Sequence, residues 1–240
     1  MRIAYITDLH LDEQFPKDHG VDARKNWQRI LKDVALRNVD KIILGGDIGE
    51  NSAHQWFFES LNEYDWDITL GNHDQFPEVI KYVIKNNKEI NASEHYYSKK
   101  DDYFNYLFLD TSLEKISTQQ FNWLENEIAE RKKIIIFVHH PILSVDTEVD
   151  RKYPLYGRKK IENLLHNCGQ KVIIFCGHYH MADQSTSNNI EQFITPASSV
   201  QLVKNTKELV LSGEVFGYRI IEIDKDQIQS KVIIFKTTDN

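Results

Sequence analysis

The sequence predicts an α/β layered fold with at least a partly parallel sheet, and two observations carry that expectation. Apolar runs rich in β-branched residues alternate with longer amphipathic stretches. Short clusters of His, Asp and Asn follow the apolar runs, at the strand exits where α/β sheets gather their ligands.

In order along the chain, an apolar run at residues 3–7 reads as a buried strand and exits into Asp8-Leu9-His10. A helix is expected over 22–38, because Trp27, Ile30, Leu31, Val34 and Ala35 share one face. The strand 41–44 leads into Gly45-Gly46-Asp47, a helix follows at about 53–64, and the strand 67–70 leads into Gly71-Asn72-His73-Asp74. Next come a helix at 77–86, a strand at 106–109 and a helix at 118–131. The strand 134–138 precedes His139-His140-Pro141; after a helix at 159–166, the strand 172–176 ends in Gly177-His178-Tyr179-His180. The five strands that carry clusters are expected in one sheet. Beyond Met181 the helical period fades into short pieces at 191–194, 199–203, 218–223 and 228–235, expected as antiparallel strands of a second sheet packed on the first. No repeat or low-complexity linker divides the chain, so one domain over 1–240 is expected.

Composition narrows the class. The chain has 240 residues, 41% hydrophobic and 27% charged, as in an ordinary globular protein with a sizeable core. No apolar stretch approaches the roughly 18 residues of a membrane span, and a strand begins at Ile3, which leaves no room for a signal peptide. A cytoplasmic protein without a membrane partner is expected. The net charge of −7 argues against a stable nucleic-acid partner, since non-specific polyanion binding rests on Lys and Arg. The runs Arg131-Lys132-Lys133 and Lys159-Lys160 read as solvated faces. Two cysteines, Cys168 and Cys176, give no disulfide framework, and Cys176 reads as a small apolar residue beneath the site.

Taken singly, a cluster such as Asp8-Leu9-His10 means little, because a capping Asp beside a surface His gives the same tripeptide. Five clusters in one context mean more: each apolar strand runs into a turn, four of them marked by Gly or Pro, and the ligand residue types sit at the exit. A two-metal centre is the natural consequence.

In their order, Asp-x-His, Gly-Gly-Asp, Gly-Asn-His-Asp, His-His and Gly-His-x-His resemble the signature of the calcineurin-like metallophosphoesterases, over Asp8 to His180. The resemblance implies the metallo-dependent phosphatase fold, a four-layer α/β/β/α sandwich of two mixed sheets flanked by helices. It implies that Asp8, His10, Asp47 and His180 hold one metal. Asn72, His139 and His178 would hold the second, with Asp47 as the bridge. His139 is preferred to His140 because it directly follows the strand. Without a thiolate set, the donors suit Mn, Fe or Zn. In such a centre, cations roughly 3.5–4 Å apart turn a shared water into hydroxide and clamp the phosphate oxygens. The matching family His makes His73 the group that assists the leaving oxygen. Asp74 either orients His73 or caps the next helix at Pro77. His140 is expected behind the ligands, and His19, His54, His95 and His166 are expected to be structural or solvated.

The protein serine/threonine phosphatases carry Asp-x-x-Asp-Arg-Gly, whereas this chain runs Asp47-Ile48-Gly49-Glu50-Asn51. Gly20-Val21-Asp22, the tract 155–165, Thr195-Pro196-Ala197-Ser198-Ser199-Val200-Gln201 and Gly217-Tyr218-Arg219 are similar to the class III cyclic-nucleotide phosphodiesterases and their glycerophosphodiester-cleaving relatives. The bland reading of the tail pieces is structural, a turn and a strand of the second sheet. The expected activity is hydrolysis of cyclic nucleotides or small phosphodiesters; a phosphomonoesterase, a nucleotide pyrophosphatase or a nuclease would use the same core. A non-catalytic binding scaffold would be expected to have lost ligands, and none is missing. The short span 48–71 between clusters predicts an open site.

Overall fold

The computed structural model describes residues 1–85, 93–130 and 132–238. The chain opens with β1 (Arg2–Ile6), α1 (Gln14–Asp18), α2 (Ala23–Leu36), β2 (Lys41–Leu44), α3 (His54–Glu59), β3 (Trp66–Ile68) and α4 (Phe76–Lys85). Then come β4 (Tyr97–Lys100), β5 (Phe104–Phe108), α5 (Thr118–Glu127), β6 (Lys133–Phe137), α6 (Glu148–Lys152), α7 (Arg158–Asn167) and β7 (Val172–Cys176). The last part holds β8 (Asp183–Ser187), β9 (Ile190–Ile194), β10 (Gln201–Leu202), β11 (Leu211–Ser212), β12 (Val215–Asp224) and β13 (Gln227–Lys236).

Two mixed sheets result, ordered β13-β12-β1-β2-β3 and β4-β5-β6-β7-β9-β8. This corrects the expectation of a single sheet for the cluster-bearing strands: β1, β2 and β3 pair in parallel in the first, and β6 and β7 in the second. Hydrophobic pattern reports burial and not the partner, so it cannot say which sheet a strand joins. The C-terminal strands correct it further. β12 lies antiparallel to β1, with Arg2 opposite Glu222, and gives β1 a second neighbour in place of an open edge. β9 runs parallel to β7, and β8 pairs with β9 in the same sheet. β10 and β11 form a small separate pair.

Strand alternation explains the layers. Ile3 and Tyr5 face the other sheet, where they join Ile43, Phe104, Phe108, Phe137 and Phe175, while Ala4 and Ile6 face outward. The inner layer is stacked aromatics: Phe108 and Phe137 have ring centroids 5.1 Å apart, and Phe137 and Phe175 5.7 Å. The Tyr5 hydroxyl crosses the gap to donate to the Val138 carbonyl at 3.1 Å. Outside, Trp27, Ile30 and Val34 of α2 and Phe57 of α3 cover the first sheet. Leu124 of α5 and Ile161 and Leu165 of α7 cover the second.

Most predicted ends move by one or two residues, as ends do. The helix expected at 53–64 is shorter, preceded by a 3-10 turn at Asn51–Ala53. The helix expected at 118–131 ends at Glu127. Two of the expected helix ends, Asn86 and Arg131, lie outside the described residues. Among the described residues no helix is long and apolar enough to cross a membrane.

Candidate metal centre

The loops that leave β1, β2, β3, β6 and β7 meet at one end of the sandwich. The first two are sewn together by main-chain bonds: Asp8 N–H donates to the Gly46 carbonyl at 3.1 Å, and His10 N–H to the Asp47 carbonyl at 3.0 Å. Asp8, His10, Asp47, His178 and His180 all have left-handed backbones, with φ of 55°, 47°, 55°, 68° and 46°. Such conformations cost a non-glycine residue roughly 1–3 kcal/mol and persist where surrounding contacts over-determine them. Here they turn the side chains toward a common centre. Two glycines let the loops approach: a Cβ on Gly46 would lie 2.4 Å from the Gly71 nitrogen, and one on Gly71 would lie 2.2 Å from Asp47 Oδ1.

The convergence forms two groups joined by a third. Donor atoms of Asp8, His10 and His180 lie within 4.8 Å of one another, as do those of Asp47, His139 and His178. His10, Asp47 and His73 form the group that overlaps both. Asp47 Oδ2 is the common point, 3.2 Å from His139 Nε2 and 3.6 Å from His10 Nε2. Asp8 Oδ1 lies 3.4 Å from His180 Nε2 and 3.8 Å from His139 Nε2. All of these but His73 and His178 are buried.

Outer partners fix the ring orientations. His139 Nδ1 faces the Gly45 carbonyl at 2.8 Å, His180 Nδ1 the Val200 carbonyl at 2.8 Å, and His10 Nδ1 faces Glu13 Oε1 at 3.1 Å. Each of these partners accepts, so each ring carries its proton on Nδ1 and turns the Nε2 lone pair inward. The lone pairs of His10 and His180 then face each other at 3.0 Å. His178 differs, since its Nε2 faces the Tyr153 carbonyl at 3.0 Å and Nδ1 is its other ring nitrogen.

An acceptor-only interior of this kind calls for cations. Among the described residues, buried Asn72 Oδ1 has no hydrogen-bond donor, and buried His139 Nε2 has only carboxylates near it, Asp47 at 3.2 Å and Asp8 at 3.8 Å. Charge agrees: although burial opposes it, the negative charges of Asp47 and Asp8 push His139 up to about 9, so that without a metal ion a proton takes the cation's place on Nε2. Burial also raises Asp8, but His180 outweighs it and brings the carboxyl to about 2. Burial and then the neighbouring His139 charge hold His178 down at about 3. A set of imidazole, carboxylate and amide donors without thiolate fits hard to borderline divalent metals.

Around this centre lies a layer that the sequence only partly announces. Asp74 accepts from the main-chain N–H groups of Asp47, Ile48 and Gly71 at 2.8, 2.9 and 2.9 Å, tying the second cluster to the third. It is Glu13 that meets His73, with Oε2 3.1 Å from Nδ1. His73 is 42% exposed, on the open side of the centre. The Glu13 hydrogen bond, against burial, raises it to about 9. Buried His140 faces Thr111 Oγ1 at 2.9 Å and packs its ring 4.0 Å from that of His178. Among the described residues His19, His54, His95 and His166 belong to none of the donor groups. Buried Cys176 points its thiol at the Phe193 carbonyl.

Two of the tail pieces make bracing contacts. Ser199 Oγ donates to the Asp8 carbonyl at 2.7 Å, and Ser198 N–H to the Thr7 carbonyl at 3.0 Å. Arg219 is buried and donates to the Ile194 carbonyl at 3.0 Å and to Ser230 Oγ at 3.1 Å. Sequence reasoning missed Glu13, Thr111 and the carbonyls of Tyr153 and Val200. A main-chain acceptor leaves no mark in a sequence, and Glu13 stands in a polar stretch with no periodic signal.

Comparison with known proteins agrees with this architecture. A family model described as calcineurin-like phosphoesterase matches residues 1–182. The chain is 25% identical to a probable cyclic nucleotide phosphodiesterase of Fibrobacter succinogenes, over 99% of this chain and 95% of that protein. It is also 25% identical to a probable glycerophosphodiester phosphodiesterase of Arcobacter nitrofigilis, over 87% of this chain and 82% of that one. In fold it is similar to a dimetal phosphatase from Danio rerio, with a TM-score of 0.62 at 10% identity, covering 99% of both chains.

Proposed function

This chain belongs to the calcineurin-like phosphoesterase family and is a metal-dependent phosphoesterase; on that premise we propose that it is a phosphodiesterase of cyclic nucleotides or other small phosphodiesters. In this reading Asp8, His10, Asp47 and His180 hold one cation, and Asp47, Asn72, His139 and His178 the other, with Mn, Fe or Zn as the candidates. The observation that carries it is the place of Asp47 Oδ2, between His10 Nε2 at 3.6 Å and His139 Nε2 at 3.2 Å. When bound, two cations would lower the pKa of a shared water enough to make hydroxide available near neutral pH and would neutralise the phosphate oxygens.

The chain's own residues do the rest. Asp47 sets the spacing of the two groups, and the carbonyls of Gly45 and Val200 keep the His139 and His180 lone pairs turned inward. His73, exposed at the open side, donates a proton or a hydrogen bond to the leaving oxygen. The relatives named as cyclic-nucleotide and glycerophosphodiester phosphodiesterases support a diester over a monoester. The assay is the apoprotein with Mn²⁺ restored, on bis(p-nitrophenyl) phosphate, cyclic nucleotides and the matching monoesters. Turnover of diesters is expected, and hydrolysis of monoesters alone would move the assignment to a phosphatase.

A further inference from the structure

Glu13 is an acidic side chain beside the centre that the ligand scheme does not use, and His10 is only one of its two partners. It follows the left-handed Asp12, whose φ is 64°. Arg24 of α2 clamps Asp12 through two bonds, Nε to Oδ1 at 2.8 Å and Nη2 to Oδ2 at 2.6 Å, and stacks 4.5 Å over the Trp56 ring. The Glu13 backbone caps α1 without using its side chain. The freed carboxylate is 12% exposed and meets two rings at once, His10 Nδ1 through Oε1 and His73 Nδ1 through Oε2, each at 3.1 Å. The two rings stand edge to face, with centroids 4.7 Å apart, and Phe15 packs 4.7 Å from the His10 ring.

We propose that Glu13 is a positioning residue that holds the His73 proton donor in fixed register with the metal ligand His10. The inference rests on the proposed role of His73. With Nδ1 engaged, His73 has Nε2 as its remaining polar atom. As the bond from phosphorus to the leaving oxygen breaks, that oxygen takes the Nε2 proton, while the water-derived oxygen bonds to phosphorus; solvent then returns a proton to the ring. A residue shared by His10 and His73 keeps the donor at one distance from the phosphate, which the metals themselves locate. Misplacement of about 1 Å would cost roughly a hundredfold in such a step.

The test uses two esters at saturating Mn²⁺: a 3′,5′-cyclic nucleotide, whose sugar oxygen needs a proton to leave, and bis(p-nitrophenyl) phosphate, whose leaving group does not. Glu13→Ala should lower kcat on the cyclic nucleotide by about ten- to a hundredfold, and on the nitrophenyl ester by no more than about threefold, with KM and metal content kept. In a His73→Ala background it should add nothing, and Glu13→Gln, which keeps one acceptor oxygen, should fall between. Equal losses on both esters, or a loss that persists without His73, would overturn the proposal. A separate readout needs no turnover: histidine-ring NMR should show slowly exchanging Nδ1 protons on both His10 and His73 that vanish together in Glu13→Ala. Unchanged ring signals would also overturn it. If the parent cleaves neither ester, the phosphodiesterase reading fails, while the ring spectra still decide on Glu13.

Discussion

The two sheets bring their donors to the same place by different means. The loops from β1, β2 and β3 are joined by main chain and by two carboxylates: Asp8 and His10 N–H bond to the Gly46 and Asp47 carbonyls, Asp74 gathers three further N–H groups, and Asp47 Oδ1 accepts from His73 N–H at 2.9 Å. The second-sheet loops share fewer such bonds, Gly177 N–H to the His139 carbonyl and His178 N–H to the Asp8 carboxylate. Each of their rings is aimed by its own carbonyl: His139 by that of Gly45, His178 by that of Tyr153 and His180 by that of Val200. The first arrangement is a frame and the second a set of aimed rings. Damage to the frame should therefore reach stability as well as activity, whereas damage to a ring should reach activity alone.

The largest effects break the centre from each side. Asp47→Ala and His139→Ala should each lower kcat by at least about a thousandfold, since each forfeits several kcal/mol of transition-state stabilisation. Circular dichroism should show both folded. Asp74→Ala sharpens the contrast because it strands three buried N–H groups of the frame. A net cost of about 3 kcal/mol should lower Tm by roughly 6–12 °C, read by calorimetry. His140→Ala, behind the rings, should change Tm by less than half as much.

Gly71→Ala tests the close approach of the two halves. Its new Cβ would lie 2.2 Å from Asp47 Oδ1 and 2.8 Å from His139 Nδ1, so both must move. A fall of about ten- to a hundredfold in kcat/KM is expected. The smallest effect belongs to the tail. Arg219→Met removes donors to the Ile194 carbonyl and Ser230 Oγ, and should lower Tm by a few degrees while kcat/KM stays within about twofold. A larger change in kcat/KM would give that residue a place in substrate handling.

The frame was the more legible half. The strands before Asp8, Asp47 and Asn72 are short, apolar and followed by ligand types, and they pair in chain order, so local pattern sufficed. What escaped the sequence is what depends on distant pairing. β12 reaches β1 across most of the chain, and no feature of Gly217-Tyr218-Arg219 says which sheet it will extend. The second-sheet rings were legible as His139, His178 and His180, but their aim was not, because it is set by carbonyls. Glu13 escaped for a related reason: its role appears only when the Asp12 turn, held by Arg24, swings the carboxylate between His10 and His73.

Metal analysis of the reconstituted protein beside Asp47→Ala and His139→Ala tests the central claim most directly. The account predicts about two ions per chain in the parent, about one in His139→Ala, and fewer than one in Asp47→Ala, where the shared carboxylate is gone. Fewer than one tightly bound ion per chain in the parent, or an Asp47→Ala protein that keeps both, would contradict it.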